Sequence, residues 1–150
     1  MPRDNPLNEI TLRKYERPYS ADKRQIVKKI CLSFGLLQPG DSRDAIVDIL
    51  LILIGEQREK KKISSEEIKN KVEELREKNK LELKGLAESN IRRQLKRLRD
   101  LMIIEKENNL YYLSEFDTLE NIFEDKIKKF IIEPNIERLK EYLAALEKAE

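Results

Sequence analysis

The sequence predicts a mainly α-helical fold with a small β-hairpin, preceded by an arm and a first helix and followed by a helical extension. Three features of the 150 residues predict it. Apolar residues recur at the three-and-four spacing of helices along most of the chain. The run Ala45 to Ile54 is apolar all round apart from Asp48. Two short apolar stretches flank Asn108-Asn109, and asparagine tolerates the left-handed backbone that a tight hairpin turn demands. The expected units are an N-terminal arm and helix over 1–40, a central unit over 41–114, and a C-terminal helical tail over 115–150.

The first 20 residues hold Pro2, Pro6 and Pro18, with Leu7, Ile10, Leu12 and Tyr15 scattered among charges, which reads as an arm with at most a short strand. A first helix over 21–34 follows from Ile26, Val27, Ile30 and Phe34, with Ser20 available as cap and Gly35 as terminator. Pro39 and Gly40 then break the chain, and Asp41 or Ser42 offers a cap oxygen to the next helix. Ten apolar residues cannot span a membrane, so 45–54 lies in a helix at the centre of the core.

Ser64 and Glu67 have the S-x-x-E spacing of a capping box. Behind them Ile68, Val72 and Leu75 mark the buried stripe of a helix over 65–79. A Lys-rich connector ends at Gly85. The next helix, 87–101, carries Ile91, Leu95, Leu98 and Met102 within one arc of the helical wheel. Residues 103–107 and 110–113 then form the two strands of the hairpin, with Tyr111 and Tyr112 on opposite faces and one of them in the core. The tail shows Leu119, Ile122, Phe123, Ile127, Phe130 and Ile131 on one helical face. It breaks at Pro134 and resumes with Ile136, Leu139, Tyr142, Leu143 and Leu146, as two helices or one kinked helix.

Composition excludes several function classes. Hydrophobic residues make up 39% of the chain and charged ones 40%, with no His and one Cys. Such a chain can build a core, yet it lacks the imidazole and thiolate clusters of most zinc sites and can form neither a Ser-His nor a Cys-His dyad. It also shows no clustered carboxylates and no Gly-rich phosphate loop, so no catalytic residue, metal ligand or cofactor is expected. Cys31 beside Ile30 and Leu32 reads as a buried inert thiol. No signal stretch and no long apolar run is visible, which leads to the expectation of a cytoplasmic protein without membrane contact. Abundant Lys, Glu and Ile with few Gln is the composition of a heat-adapted source.

The net charge of +2 conceals an asymmetry. Residues 1–40 carry 8 basic and 4 acidic side chains, 41–83 carry 10 and 11, 84–106 carry 7 and 3, and 107–150 carry 6 and 11. A basic stretch and an acidic tail are what a chain shows when one surface meets a polyanion and another stays clear of it. Five of the eight residues from Arg92 to Arg99 are basic, and residues 89–99 contain no acidic partner for them.

The run Ser89-Asn90-Ile91-Arg92-Arg93-Gln94-Leu95-Lys96-Arg97-Leu98-Arg99, followed by the hairpin and Tyr111-Tyr112-Leu113, resembles the recognition helix and wing of the winged helix-turn-helix superfamily. The likeness is to small bacterial and archaeal regulators of the MarR and ArsR type and covers about residues 42–114. It implies a winged helix-turn-helix core, double-stranded DNA as partner, transcription regulation, and a homodimer matched to two half-sites. Residues Ser89, Asn90 and Arg93 are then expected at base edges and Lys96 and Arg97 at phosphates, with Arg92 and Arg99 reaching the backbone from the side.

The hairpin tip, with Glu105 and Glu107 around Lys106, departs from the basic wing tip of that superfamily. A winged helix can also serve as a protein-contact module in a transcription or replication assembly, its basic helix meeting an acidic partner. The apolar tail either packs back on the domain or forms the dimer contact. The arm, with Arg13, Lys14 and Arg17, either follows a groove or clamps the fold. Lys60-Lys61-Lys62 reads as a solvated connector rather than a phosphate loop, and Asp48 as a satisfied or rim carboxylate with Arg43 or Lys96 as its candidate partner.

Overall fold

The computed structural model describes residues 4–19 and 21–150. Its elements are α1 (Lys23–Ser33), α2 (Ala45–Gln57), β1 (Ile63–Ser64), α3 (Ser65–Lys78), α4 (Glu88–Asp100), β2 (Ile104–Glu107) and β3 (Leu110–Leu113). A helical rod follows, made of α5 (Leu119–Ile122), a π-helical stretch (Phe123–Ile132) and α6 (Glu133–Lys148). The fold is mainly helical with a small antiparallel sheet in the order β1-β3-β2.

Its centre is α2, where Ala45, Ile46, Val47, Ile49, Leu50 and Leu53 are all buried. A helix that is apolar on every side needs cover on every side, and α1, α3, α4 and β3 supply it. One core cluster joins residues of α1, the central helices, the sheet and the tail as far as Ile131.

The cap expected at Ser20 lies outside the described residues, and the cap that forms at α1 is Asp22. Its carboxylate accepts from the Gln25 N–H at 2.8 Å while Gln25 Oε1 accepts from the Asp22 N–H at 2.9 Å. At the other end Gly35, at φ +71°, lets the Leu36 N–H reach Cys31 O at 2.8 Å, the closure that only a left-handed residue permits. A Cβ on Gly35 would stand 2.7 Å from Thr11 Cβ, so the arm packs against this turn. No strand forms among the described residues of the arm. Arg13 pins it instead, donating from Nη1 to Leu32 O at 2.9 Å and from Nη2 to Gln38 Oε1 at 2.7 Å.

Neither Asp41 nor Ser42 caps α2. Asp41 accepts from the Arg43 N–H at 2.9 Å, and the cap position is Asp44, whose carboxylate is engaged elsewhere. Asp48 is fully buried rather than at a rim, and its partners are Arg24 of α1 and Arg76 of α3, not Arg43 or Lys96. Arg76 Nη1 lies 2.5 Å from Asp48 Oδ2 and 3.0 Å from Asp44 Oδ1, while Arg24 Nη2 lies 3.2 Å from Asp44 Oδ2. Two acids and two guanidinium groups thus neutralise one another among three helices. Burial alone would lower the Arg24 pKa, but its bonds to Asp48 and Asp44 outweigh burial and raise it.

On α3 the buried row is Ile68, Val72 and Arg76, with Leu75 only half-buried. The Ser64 Oγ accepts from the Glu67 N–H at 3.1 Å, but the Glu67 carboxylate faces Lys61 Nζ at 3.6 Å instead of closing the box. Strand β1 is an addition to the expected elements: Ile63 pairs with Tyr111 and Ser64 with Leu110. The hairpin forms as expected, with Glu107 opposite Leu110 and both Asn108 and Asn109 at positive φ (51° and 64°), the signature of a type I′ turn. Tyr111 is the buried member of the tyrosine pair, and Tyr112 stacks on Phe116 with ring centroids 4.7 Å apart.

Pro134 does not break the tail. Backbone angles stay right-handed through Phe123, Ile132 and Glu133, so α5, the π-helical stretch and α6 run on as one rod. The proline sits in the first turn of α6, and Asn135 Nδ2 donates to Ile131 O at 2.6 Å. The wider turn also changes the buried face. Ile122, Ile127 and Ile131 are buried at spacings of five and four, and Phe130 is turned out to solvent. No residue of α6 is buried. No helix among the described residues is long and apolar enough to cross a membrane, and no cluster of His, Cys, Asp or Glu there could hold a metal ion.

Cys31 is buried, and burial pushes its thiol up to about 12 against the opposing pull of Arg97 and Arg24. We expect no reaction with thiol reagents at pH 8 while the protein is folded, and complete labelling once it is unfolded. Because the unfolded thiol ionises first as pH rises, stability falls from about pH 9 toward pH 12, by about 1.4 kcal/mol per unit at most. Thermal unfolding followed over that range checks the sign.

Candidate nucleic-acid interface

Helix α4 divides cleanly. Ile91, Leu95 and Leu98 are fully buried, and they hold the helix against α2 and α3. At 3.6 residues per turn, Ser89, Arg93 and Lys96 fall within about 60° of one another, directly opposite that buried row. These three are exposed, as are Arg92 and Arg99 on one flank, whereas Asn90 and Arg97 on the other flank are half-buried. Met102, expected on the apolar arc, lies beyond the helix at φ +67°.

Hydrogen bonds sort the expected site residues into free and committed groups. Asn90 is a clip: its Nδ2 donates to Gly85 O at 2.7 Å, and its Oδ1 accepts from Arg93 Nη2 at 2.7 Å and from Gln94 Nε2 at 3.1 Å. Such a side chain closes the loop before α4 and aims Arg93. Arg97 is likewise engaged, donating to Gln94 Oε1 at 2.8 Å and to Gly35 O at 3.0 Å. It ties α4 to the end of α1.

The absence of acidic partners within 89–99 does not leave every cation unpaired, because Glu88 and Asp100 bracket the run. Arg92 Nη2 lies 3.9 Å from Glu88 Oε1, and Lys96 Nζ lies 3.0 Å from Asp100 Oδ2. Exposed pairs four residues apart contribute only about 0.3–0.5 kcal/mol, so a phosphate can displace the carboxylate. Arg99 enters no ion pair among the described residues.

The fold brings in further cations that sequence spacing did not reveal. A cavity of about 250 Å³ at the start of α4 is lined by Arg43 together with Arg93 and Arg97. A wider groove of about 490 Å³ at its end lies between α4, β2 and the rod, and adds Lys106 and Lys126 to Lys96 and Arg99. Nothing local marks Arg43 or Lys126, since each reaches α4 only through long-range packing.

The acids of the hairpin are engaged in contacts within the fold, although Glu107 stays exposed. Glu105 Oε2 accepts from the Glu115 N–H at 2.8 Å, and Glu107 pairs with Lys62 Nζ at 3.0 Å. That bond raises the Lys62 pKa, and the ammonium also lies 4.9 Å from the centroid of the Tyr112 ring. Lys62 therefore fastens β1 to the hairpin. A search of family models, curated proteins and solved structures finds no match to this chain.

Proposed function

We propose that the protein binds double-stranded DNA, with α4 lying in the major groove, and acts as a regulator of transcription. One observation carries the reading: the solvent face of α4 presents Arg92, Arg93, Lys96 and Arg99, while its opposite face is locked into the core. A groove-reading helix needs this division, with donors outward and a rigid base inward. The order helix, strand, helix, helix, strand, strand from α2 to β3 supports a winged helix-turn-helix reading of residues 41–114. Arg93 and Ser89 then face base edges, Lys96, Arg92 and Arg99 face phosphates, and the cations at either end of α4 extend the contact along the backbone. The reading involves no catalytic step.

A second reading, in which the same helix meets an acidic protein, is favoured by the ion pairs along α4, where carboxylates already stand against Arg92 and Lys96. Equilibrium binding of a random-sequence duplex by the wild type and by the Arg93→Glu, Lys96→Glu variant separates the two. The DNA reading expects wild-type binding and its loss in the variant; unaltered duplex binding overturns it.

A further inference from the structure

We propose that the cavity at the start of α4 binds a free phosphate-type oxyanion between Arg43, Arg93 and Arg97, and that the bound anion competes with DNA for these guanidinium groups. The anion site stands on its own geometry, whereas the competition rests on the DNA reading.

Three guanidinium groups line one cavity of about 250 Å³. Like charges gathered in one place repel, and elsewhere the fold answers such a convergence with acid, since Arg24 and Arg76 meet around Asp44 and Asp48. Here it supplies none. Arg43, Arg93 and Arg97 enter no ion pair among the described residues, and Arg97 is half-buried, where its charge is screened less than at open surface. Asp41 is the acid at the rim, and its Oδ1 is engaged by the Arg43 backbone N–H at 2.9 Å. A recess lined by one sign of charge concentrates the opposite ion.

The donors for such an ion are in place. A guanidinium offers five N–H donors in a planar fork, which matches two oxygens of a phosphate. Arg97 uses Nη1 on Gln94 and Nη2 on Gly35, and Arg93 uses Nη2 on Asn90. Those bonds hold two of the three forks before any ligand arrives and leave most of their donors free among the described residues. Behind them Leu36, Leu37 and Ile46 form a buried apolar wall, beside which a charge-assisted bond is stronger than in water.

Size selects the ligand. Sites for drug-sized molecules and cofactors fill about 300–1,000 Å³, so this cavity suits inorganic phosphate or the phosphoryl end of a small ester. A DNA phosphate is the same chemical group, and Arg93 belongs to both the cavity and the solvent face of α4. Free phosphate and duplex therefore draw on one set of donors.

The experiment is thermal unfolding of the full chain as inorganic phosphate replaces chloride at constant ionic strength, for the wild type, Arg43→Gln and Lys148→Gln. The first variant removes a cavity cation, and the second removes the same charge at the exposed end of α6. The proposal expects a saturable rise in Tm, about 3–6 °C at ten times the Kd, kept in Lys148→Gln and moved to at least about tenfold higher phosphate in Arg43→Gln. No rise beyond that in chloride, or a rise that Arg43→Gln leaves in place, overturns the site. Duplex affinity in the same buffers reads the competition and is expected to fall about tenfold in the wild type at that phosphate concentration. An affinity that phosphate leaves unchanged overturns the competition. Weaker duplex binding by Arg43→Gln without any phosphate-dependent rise in Tm assigns the cavity to DNA phosphate alone and overturns the free-anion site. A wild type that gains Tm with phosphate yet binds no duplex supports the site and overturns the DNA reading, so the two failures are told apart.

Discussion

Asp48→Ala is expected to lower the free energy of unfolding by about 3–5 kcal/mol, the usual consequence of removing one partner from a buried ion pair. Asp48 is fully buried and Arg76 is 4% exposed, so the guanidinium left behind cannot turn to water. Asp44 would still lie 3.0 Å from it, but that carboxylate already serves Arg24 as well. Against a typical total of about 5–15 kcal/mol, the loss is large, and for a domain of this size it corresponds to about 6–20 °C in Tm. Chemical denaturation of wild type and variant measures it.

A companion variant isolates the cause. Replacing Asp48 and Arg76 together by leucine removes both charges, and apolar replacement of a whole buried pair is commonly neutral or stabilising. The double variant is therefore expected to recover most of the stability that Asp48→Ala loses. A double variant as weak as the single one would mean that the cost is a cavity rather than an orphaned charge. Arg76 also donates from Nε to Glu82 O at 2.5 Å, so the loop before α4 loosens in the double variant even when the core does not.

Arg93→Glu with Lys96→Glu is expected to weaken duplex binding at least a hundredfold, about the worth of two charge-assisted hydrogen bonds. Both side chains are exposed, and what they hold inside the protein is slight: Arg93 bonds Asn90 at 2.7 Å and Lys96 pairs with Asp100 at 3.0 Å. A carboxylate in place of Lys96 would face Asp100 four residues on, a repulsion of a few tenths of a kcal/mol. The fold should therefore lose less than about 1 kcal/mol while binding collapses. Arg97→Ala is the contrast. Its guanidinium holds Gly35 O at 3.0 Å, so it is expected to act mainly on stability.

The parts of the fold legible in the sequence are those specified locally. The apolar run of α2 has only one place to go. The Asn108-Asn109 turn is written in two residues, and the amphipathic division of α4 follows from spacing alone. Strand β1 was not legible because two residues have no periodicity; it exists because β3 offers a free edge. The burial of Arg76 was hidden because a cation on a helical wheel reads as solvent-facing. Only the convergence of α1, α2 and α3 brings Asp44 and Asp48 to it across 32 and 28 positions of sequence, and Arg24 to the same two acids across 20 and 24. The continuous rod through Pro134 depended on a π-helical turn that alters the spacing on which face assignment rests.

The candidate site shows the same boundary. The cationic character of residues 92–99 was readable, and so was the face they share. Which of them stay free was not, because Asn90 and Arg97 are claimed by the carbonyls of Gly85 and Gly35, one in an adjacent loop and one at the end of a distant helix. Arg43, Lys106 and Lys126 join the same surface through tertiary packing alone.

The central claim is that α4 meets the phosphates and base edges of duplex DNA. Its most direct test is the affinity of the wild-type protein for a duplex as salt rises from about 50 to about 200 mM. Each neutralised phosphate contributes a slope of about −0.9 in log K against log salt. The account predicts a straight line of steep negative slope, amounting to about a thousandfold weakening over that range for six contacts. No binding at the lowest salt, or binding that salt leaves unchanged, would contradict it.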